Sequence, residues 1–227
     1  MFTQDQLKQH AAQAALDYAL PFLHPDTILG VGTGSTVDRF IDLLADHRQA
    51  FRGAASSSER STRRLLDAGI EVFDLNAVQS MALYVDGADE LDQDLNMIKG
   101  GGGALTREKI VSSVAERFVC IVDESKLVER LGLFPLPVEV IPLAREAVAR
   151  ALRQFGGRPV LREGFVTDNG CQILDVAGLR LDQPAEFEAM LNSVPGVVCC
   201  GVFAISGADV ALVAGQDGVQ EIHRELS

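Results

Sequence analysis

The chain has 227 residues, 47% of them hydrophobic, with a formal net charge of -12 and a sequence pI near 4.7. That length buries a full core, as one large domain or one domain with a smaller companion, and the hydrophobic content excludes long disorder. The acidic balance excludes a nucleic-acid surface, which needs a basic face, so any anion must be held locally by amides and one or two lysines.

Leu7, Ala11, Ala14, Ala15 and Tyr18 recur at helical spacing and predict a helix over 4–20, broken by Pro21 and Pro25. Thr27–Val31 reads as a buried strand and Val37–Leu44 as a helix with Phe40, Ile41 and Leu44 on one face. A strand ending near Ala54-Ala55-Ser56, a helix over Ser61–Ala68 and a strand at Glu71–Phe73 follow. Ala82–Val85 is another buried strand, Arg107 to about Ala115 a helix, and Phe118–Val122 a strand. Such alternation predicts an α/β fold with a doubly wound, mostly parallel, Rossmann-like sheet covered on both faces.

After Leu131 the pattern changes. Val138–Ile141 reads as a strand, Ala144–Phe155 as an amphipathic helix, and Val160–Val166 and Gln172–Val176 as strands around the turn Asp168-Asn169-Gly170. Pro184 opens a helix to Leu191, and Val197–Phe203 is a further strand. The order β-α-β-β-α-β predicts an inserted, smaller ferredoxin-like α+β domain over 131–206. Ala208–Val213 then returns to the main sheet, so the larger domain comprises 1–130 plus 207–227.

The cysteines, Cys120, Cys171, Cys199 and Cys200, lack zinc-type spacing and read as buried reduced thiols; no metal is expected. The N-terminus lacks a charged-then-apolar signal pattern and no apolar run spans a bilayer, so a soluble cytoplasmic protein without a membrane partner is expected. His10, His24, His47 and His223 lie outside every cluster below and read as surface residues.

Six segments carry chemistry. Gly30-Val-Gly32-Thr33-Gly34-Ser35-Thr36 joins a strand to a helix, offering bare amides, hydroxyls and a positive helix end to a phosphate, although an ordinary capped turn has the same composition. Serine at 35 departs from the dinucleotide fingerprint, and the P-loop lysine is absent. Ser56-Ser57-Ser58 follows a strand end and either lines the same crevice or forms a polar loop with Ser61 capping the next helix.

Asp86-Gly87-Ala88-Asp89 sits at the carboxyl end of a buried strand, where two close carboxylates repel and divide into acid and base. A solvated acidic turn or a divalent-cation site are the alternatives, and Lys99 weakens the cation reading by supplying a positive charge. Lys99-Gly100-Gly101-Gly102-Gly103 is costly in any regular element and reads as a backbone nest for an anion or oxyanion. If Thr106 caps the next helix, Glu108 falls in its first turn, where the helix end favours a carboxylate ready to accept a proton; a surface glutamate facing the helix dipole is the bland alternative. Lys126 follows another strand end and either neutralises a phosphate or is simply solvated. Acids, a base, a cation and bare amides suit proton transfer beside a carbonyl on a small anionic substrate, without any cofactor.

Taken in order, Gly30–Thr36, Ser56–Ser58, Asp86-Gly-Ala-Asp-Glu90, Lys99–Gly103 with Thr106-Arg-Glu-Lys109, and Phe134-Pro-Leu-Pro-Val-Glu-Val140 closely resemble type A ribose-5-phosphate isomerase. The likeness also covers Val166-Thr-Asp-Asn-Gly170 and the Pro195-Gly196 region, nearly the whole chain. It implies cofactor-free interconversion of D-ribose 5-phosphate and D-ribulose 5-phosphate in the non-oxidative pentose phosphate pathway, by a homo-oligomer, expected here as a homodimer. It implies Glu108 as the proton-shuttling carboxylate, and substrate contacts from Thr33, Gly34, Ser35, Thr36, Asp86, Gly87, Ala88, Asp89, Lys99, Gly100, Gly101, Gly102 and Lys126. Lys8 is a looser match for a phosphate contact. In that reading Asp86 and Asp89 open the sugar ring, Glu108 moves a proton from C2 to C1 through a cis-enediolate, and Lys99 with the glycine amides holds the negative oxygen. The rivals are an amino-sugar-phosphate deaminase, a sugar-phosphate lactonase, and a non-catalytic sugar-phosphate sensor of a transcription regulator.

Overall fold

The computed structural model describes residues 1–225; the last two residues of the expected 207–227 segment lie outside the described residues. In chain order the main elements are α1 (Gln4–Ala19), β1 (Ile28–Val31), α2 (Ser35–Leu44), β2 (Gly53–Ser56), α3 (Glu59–Asp67) and β3 (Tyr84–Asp86). Then come β4 (Glu90–Leu91), β5 (Met97–Ile98), α4 (Leu105–Ser112), β6 (Phe118–Asp123), β7 (Leu136–Val140), α5 (Arg145–Gln154) and β8 (Arg158–Leu161). The chain finishes with β9 (Gln172–Ala177), α6 (Pro184–Asn192), β10 (Val197–Cys200), β11 (Val202–Phe203), β12 (Val210–Gly215) and β13 (Gly218–His223).

These elements form two compact units. The first takes residues 1–87, 107–126 and the chain from Ala208 onward; the second takes 88–106 and 127–207. The division differs from the expected boundary at residue 130, because 88–106 and 127–130 group with the second unit. The reason is local pairing: β5 ladders onto both β4 and β11, and Val128 N–H donates to the Leu91 carbonyl.

The first unit is built on a six-stranded sheet in the order β13-β12-β6-β3-β1-β2, parallel except for the β12–β13 hairpin. All six residues of β6 are buried, as expected for a parallel strand covered on both faces. α1 starts with a capping box from Thr3 and Gln6, and sends Leu7, Ala11 and Ala15 into one cluster with Val37, Phe40, Ile41 and Leu44 of α2. The strand order reverses at β1, with β2 on one side and β3, β6 and β12 on the other. In open α/β sheets a crevice opens beyond the carboxyl ends of the strands at such a reversal.

The second unit holds the sheet β10-β7-β9-β8, antiparallel throughout, with α5 and α6 in the crossovers. This is the ferredoxin-like arrangement read from the sequence. Its core joins Leu136, Val138 and Val140 to Val148, Leu152, Leu174, Val176 and Leu191.

Besides the short strands β4 and β5, which the sequence analysis does not predict, four elements depart from expectation. Glu71–Phe73 makes only a single bridge, Ala54 to Val72, instead of a strand. The strand expected over Val160–Val166 stops at Leu161; the Arg162 N–H still donates to the Ile173 carbonyl, and the chain leaves the ladder after it. Val197–Phe203 is two strands, since the chain changes partner from β7 to β5 at Gly201, where a Cβ would lie 2.3 Å from the Lys99 carbonyl oxygen. The edge strand β13 was unforeseen; its Gly-Val-Gln-Glu-Ile-His sequence stays mostly exposed and lacks the apolar run of a buried strand.

Within the second unit the buried Glu188 carboxylate accepts the backbone N–H groups of Ala204 and Ile205, each at 2.8 Å. Glu188→Leu orphans both donors, and an unsatisfied buried donor costs about 1–3 kcal/mol. Denaturant unfolding should show a loss of that order or more; an unchanged midpoint contradicts this account of the segment.

Candidate active site

The first unit gathers sequence-predicted residues from three neighbouring loops. Thr33, Gly34, Ser35 and Thr36 form the turn from β1 into α2, Asp86 ends β3, Gly87 follows it, and Lys126 closes a short 3-10 turn after β6. β1, β3 and β6 are consecutive neighbours in the sheet, so their following loops emerge side by side at the strand reversal.

Asp86 ties these loops together. Its side chain is 0% exposed; Oδ1 accepts N–H from Thr33 at 3.0 Å and from Gly87 at 2.8 Å, and Oδ2 accepts the Tyr84 hydroxyl at 2.5 Å. The close approach demands glycine at 32, where a Cβ would lie 1.9 Å from Asp86 Cγ. Gly34 sits at φ 129° as the N-cap of α2, and no side chain caps that helix end. The amides of its first turn therefore face outward beside the partly exposed Thr33, Ser35 and Thr36, as an anion-binding helix end requires. Asp38 in the same turn would oppose an anion, but Arg60 of α3 is paired with it.

The serine cluster meets the β1–α2 turn, and its capping residue differs from the one expected. Ser58, not Ser61, is the N-cap of α3, accepting the Ser61 N–H at 3.1 Å. The Thr33 hydroxyl bonds both Ser58 and Ser61, and the Ser61 hydroxyl donates to the Gly32 carbonyl at 2.7 Å. The cluster thereby braces the β1–α2 turn from behind.

Glu108 lies in the first turn of α4 and is 3% exposed. The helix begins at Leu105, so Thr106 is inside it and does not cap it; its hydroxyl donates to the buried Glu139 carboxylate, which also accepts from Thr167 and Asn169. Tyr84 of β3 feels the charge of Glu108 as well as that of Asp86. Burial first, then the nearby Asp86 and Glu108 carboxylates, push its phenol well above the ordinary value of 10.0. Tyr84 is therefore a neutral hydroxyl donor at physiological pH. Sequence reading passed over it, although two residues along a strand from Asp86 places it on the same face.

The second unit holds Ala88, Asp89 and the glycine run. Asp89 is half-buried and its Oδ2 accepts the Gly101 N–H at 2.7 Å. Lys99 is 3% exposed, its N–H donates to the Gly201 carbonyl, and its ammonium lies 5.6 Å from the Phe203 ring centre. Gly100 and Gly103 adopt φ of 101° and 83°, which turns the backbone back upon itself as Gly103 N–H donates to the Gly100 carbonyl. Asp86 and Asp89 thus have separate sets of donors. Lys8 lies on α1, which packs against α2.

A family model described as ribose 5-phosphate isomerase A (phosphoriboisomerase A) matches residues 54–218. The chain belongs to this family. Ribose-5-phosphate isomerase A of Bordetella petrii is 65% identical over 99% of this chain and 100% of its own length. That of Bordetella bronchiseptica is 63% identical over 99% of both chains. The crystal structure of ribose 5-phosphate isomerase A from Neisseria gonorrhoeae superposes with a TM-score of 0.93 at 45% identity, covering 100% of both chains. A D-ribose-5-phosphate isomerase in complex with phospho-erythronic acid gives 0.92 at 36% identity, over 98% of this chain and 100% of that one. The chain is accordingly an isomerase of the ribose 5-phosphate/ribulose 5-phosphate pair, which separates it from the deaminase, lactonase and sensor alternatives.

The Tyr84 environment gives this isomerase a testable alkaline signature. A folded-state value above the unfolded one means stabilisation that is intact below about pH 10, the ordinary phenol value, and is lost as pH rises from there through the folded value. Of the two tyrosines, one should ionise only beyond the ordinary range when phenolate absorbance is followed, and Tyr84→Phe should remove it. Stability should also fall less steeply above about pH 10 in that variant; identical titrations and slopes contradict the assignment.

Proposed function

We propose that this isomerase works by proton transfer through a cis-enediolate, with Glu108 as the single carboxylate that takes the proton from C2 of the aldose and returns it at C1. The observation that carries the reading is a buried glutamate in the first turn of α4, beside a tyrosine hydrogen-bonded to Asp86 at the strand reversal. A base at one fixed point serves two adjacent carbons because an enediolate is planar and the proton leaves and rejoins on one face.

The phosphate is assigned to Thr33, Gly34, Ser35 and Thr36 with the uncapped start of α2, aided by Lys126; the looser Lys8 match is left as a secondary contact. Asp86 and Asp89 divide the role read for them as an acid–base couple. Asp86 has donors on both oxygens and is wholly buried, which suits an anchor that orients Gly87 and a substrate hydroxyl. Asp89 is half-buried and bonded through Oδ2, which leaves Oδ1 for the proton exchanged in ring opening. Lys99 and the amides of Gly100 and Gly102 receive the developing oxyanion, while the Gly101 amide holds Asp89 and Ala88 lends backbone beside it. Removing one such donor costs roughly 10²–10³-fold in rate. Every step uses side chains and amides of this chain.

We further infer a cytoplasmic homodimer. Leu133 and Leu143, 84% and 96% exposed, supply apolar surface for self-association. Among the described residues no helix is long and apolar enough to cross a membrane.

Glu108→Gln keeps the shape of the side chain and removes its basicity. Turnover of ribose 5-phosphate should fall by at least about 10²–10⁴-fold, while phospho-erythronic acid, which carries a phosphate and a planar carboxylate, binds within about tenfold of wild type, near 1.4 kcal/mol. Isomerisation near the wild-type rate rejects the role of Glu108.

A further inference from the structure

Arg162 lies just beyond β8, 18% exposed, in a segment the sequence reading took for plain strand. Its Nε and Nη2 grip both oxygens of Asp175 on β9, at 2.9 and 2.5 Å. The remaining arm, Nη1, donates to two successive carbonyls of the glycine run, Gly100 at 3.2 Å and Gly101 at 3.1 Å. The guanidinium stacks 5.4 Å from the Phe165 ring centre, and that ring fills the space a Cβ at Gly103 would need, 2.2 Å away.

The consequence follows from peptide planarity. No peptide bond here is cis, so each C=O points opposite to the N–H of the next residue. Holding the Gly100 carbonyl fixes the Gly101 N–H, which is the donor to Asp89 Oδ2 at 2.7 Å. Holding the Gly101 carbonyl fixes the Gly102 N–H, directed away from the guanidinium. A cation on the carbonyl side also polarises each peptide, strengthening the amide as a donor. Four glycines left alone would sample many conformations, and Asp175 keeps the clamp rigid while neutralising it.

We propose that Arg162, held by Asp175 and Phe165, is a positioning residue that pre-orients the Gly101 and Gly102 amides, the first toward Asp89 and the second toward the oxyanion. It acts through the backbone and touches no reacting atom. This inference rests on the enediolate reading above and assigns a task to the β8–β9 connection.

The test compares Arg162→Met, Arg162→Lys and Asp175→Asn with wild type and Glu108→Gln. Arg162→Met should lower kcat by roughly 10–10²-fold, less than loss of an oxyanion donor itself, while KM stays within about threefold, because the phosphate site is untouched. Arg162→Lys should not recover the rate, since an ammonium cannot span two carbonyls and grip a carboxylate through two parallel bonds. Asp175→Asn should show an intermediate loss and serves if the methionine variant does not fold. Hydrogen exchange of the 100–103 amides should quicken in each variant, a readout that a distant packing role would leave unmoved. Unchanged kcat and exchange in folded variants overturn the inference, as does a kcat loss with no change in exchange. If wild type itself fails to isomerise, or Glu108→Gln remains active, the enediolate reading fails instead.

Discussion

One buried carboxylate fixes the geometry on which the first unit's site depends. Asp86 accepts from the Thr33 amide, the Gly87 amide and the Tyr84 hydroxyl, so it joins the loop after β1 to the loop after β3. A parallel sheet opens a crevice where its strand order reverses, yet the crevice by itself has no defined shape. The Asp86 bonds supply that shape, and glycine at 32 is what lets the carboxylate come so close. From there the chain runs on to Asp89, and the Asp86 and Glu108 carboxylates both raise the Tyr84 phenol.

An acidic chain that acts on a phosphate ester has to solve an electrostatic problem, and it does so without a basic surface. The net charge is -12, so long-range attraction of an anionic substrate is absent. In the proposed site, attraction is instead short-ranged: an uncapped helix start at Gly34, hydroxyls braced by Ser58 and Ser61, and Lys126. The acidic side chain in the first turn of α2, Asp38, is matched by Arg60. Oriented amides suit such a protein because they attract negative charge in one direction while adding no net charge.

Much of this was legible in the sequence because it depends on local patterns. Strand–Gly–helix punctuation located the β1–α2 turn, the apolar runs located the parallel strands, and the β-α-β-β-α-β order located the second sheet. Glu108 lies in a first helical turn as expected, although the supposed cap, Thr106, is occupied with Glu139. What escaped was set by partners far along the chain. Arg162 is an ordinary arginine in sequence, and its two carbonyl acceptors lie about sixty residues away. The 88–106 segment changed units for the same reason, since β5 finds β11 a hundred residues later. Tyr84 was the avoidable omission: period-two alternation in β3 already placed it beside Asp86.

The central claim is that one carboxylate carries a proton between two adjacent carbons through an enediolate. Hydrogen tracking tests it most directly: ribose 5-phosphate labelled with deuterium at C2 is converted in ordinary water, and its ketose product is read by NMR. The account predicts that part of the label reaches C1 while the rest exchanges with solvent, and that the transferred atom occupies only one of the two C1 positions. Complete retention without any exchange would mean a hydride shift, and label spread over both C1 positions would mean no single positioned base; either result contradicts the account.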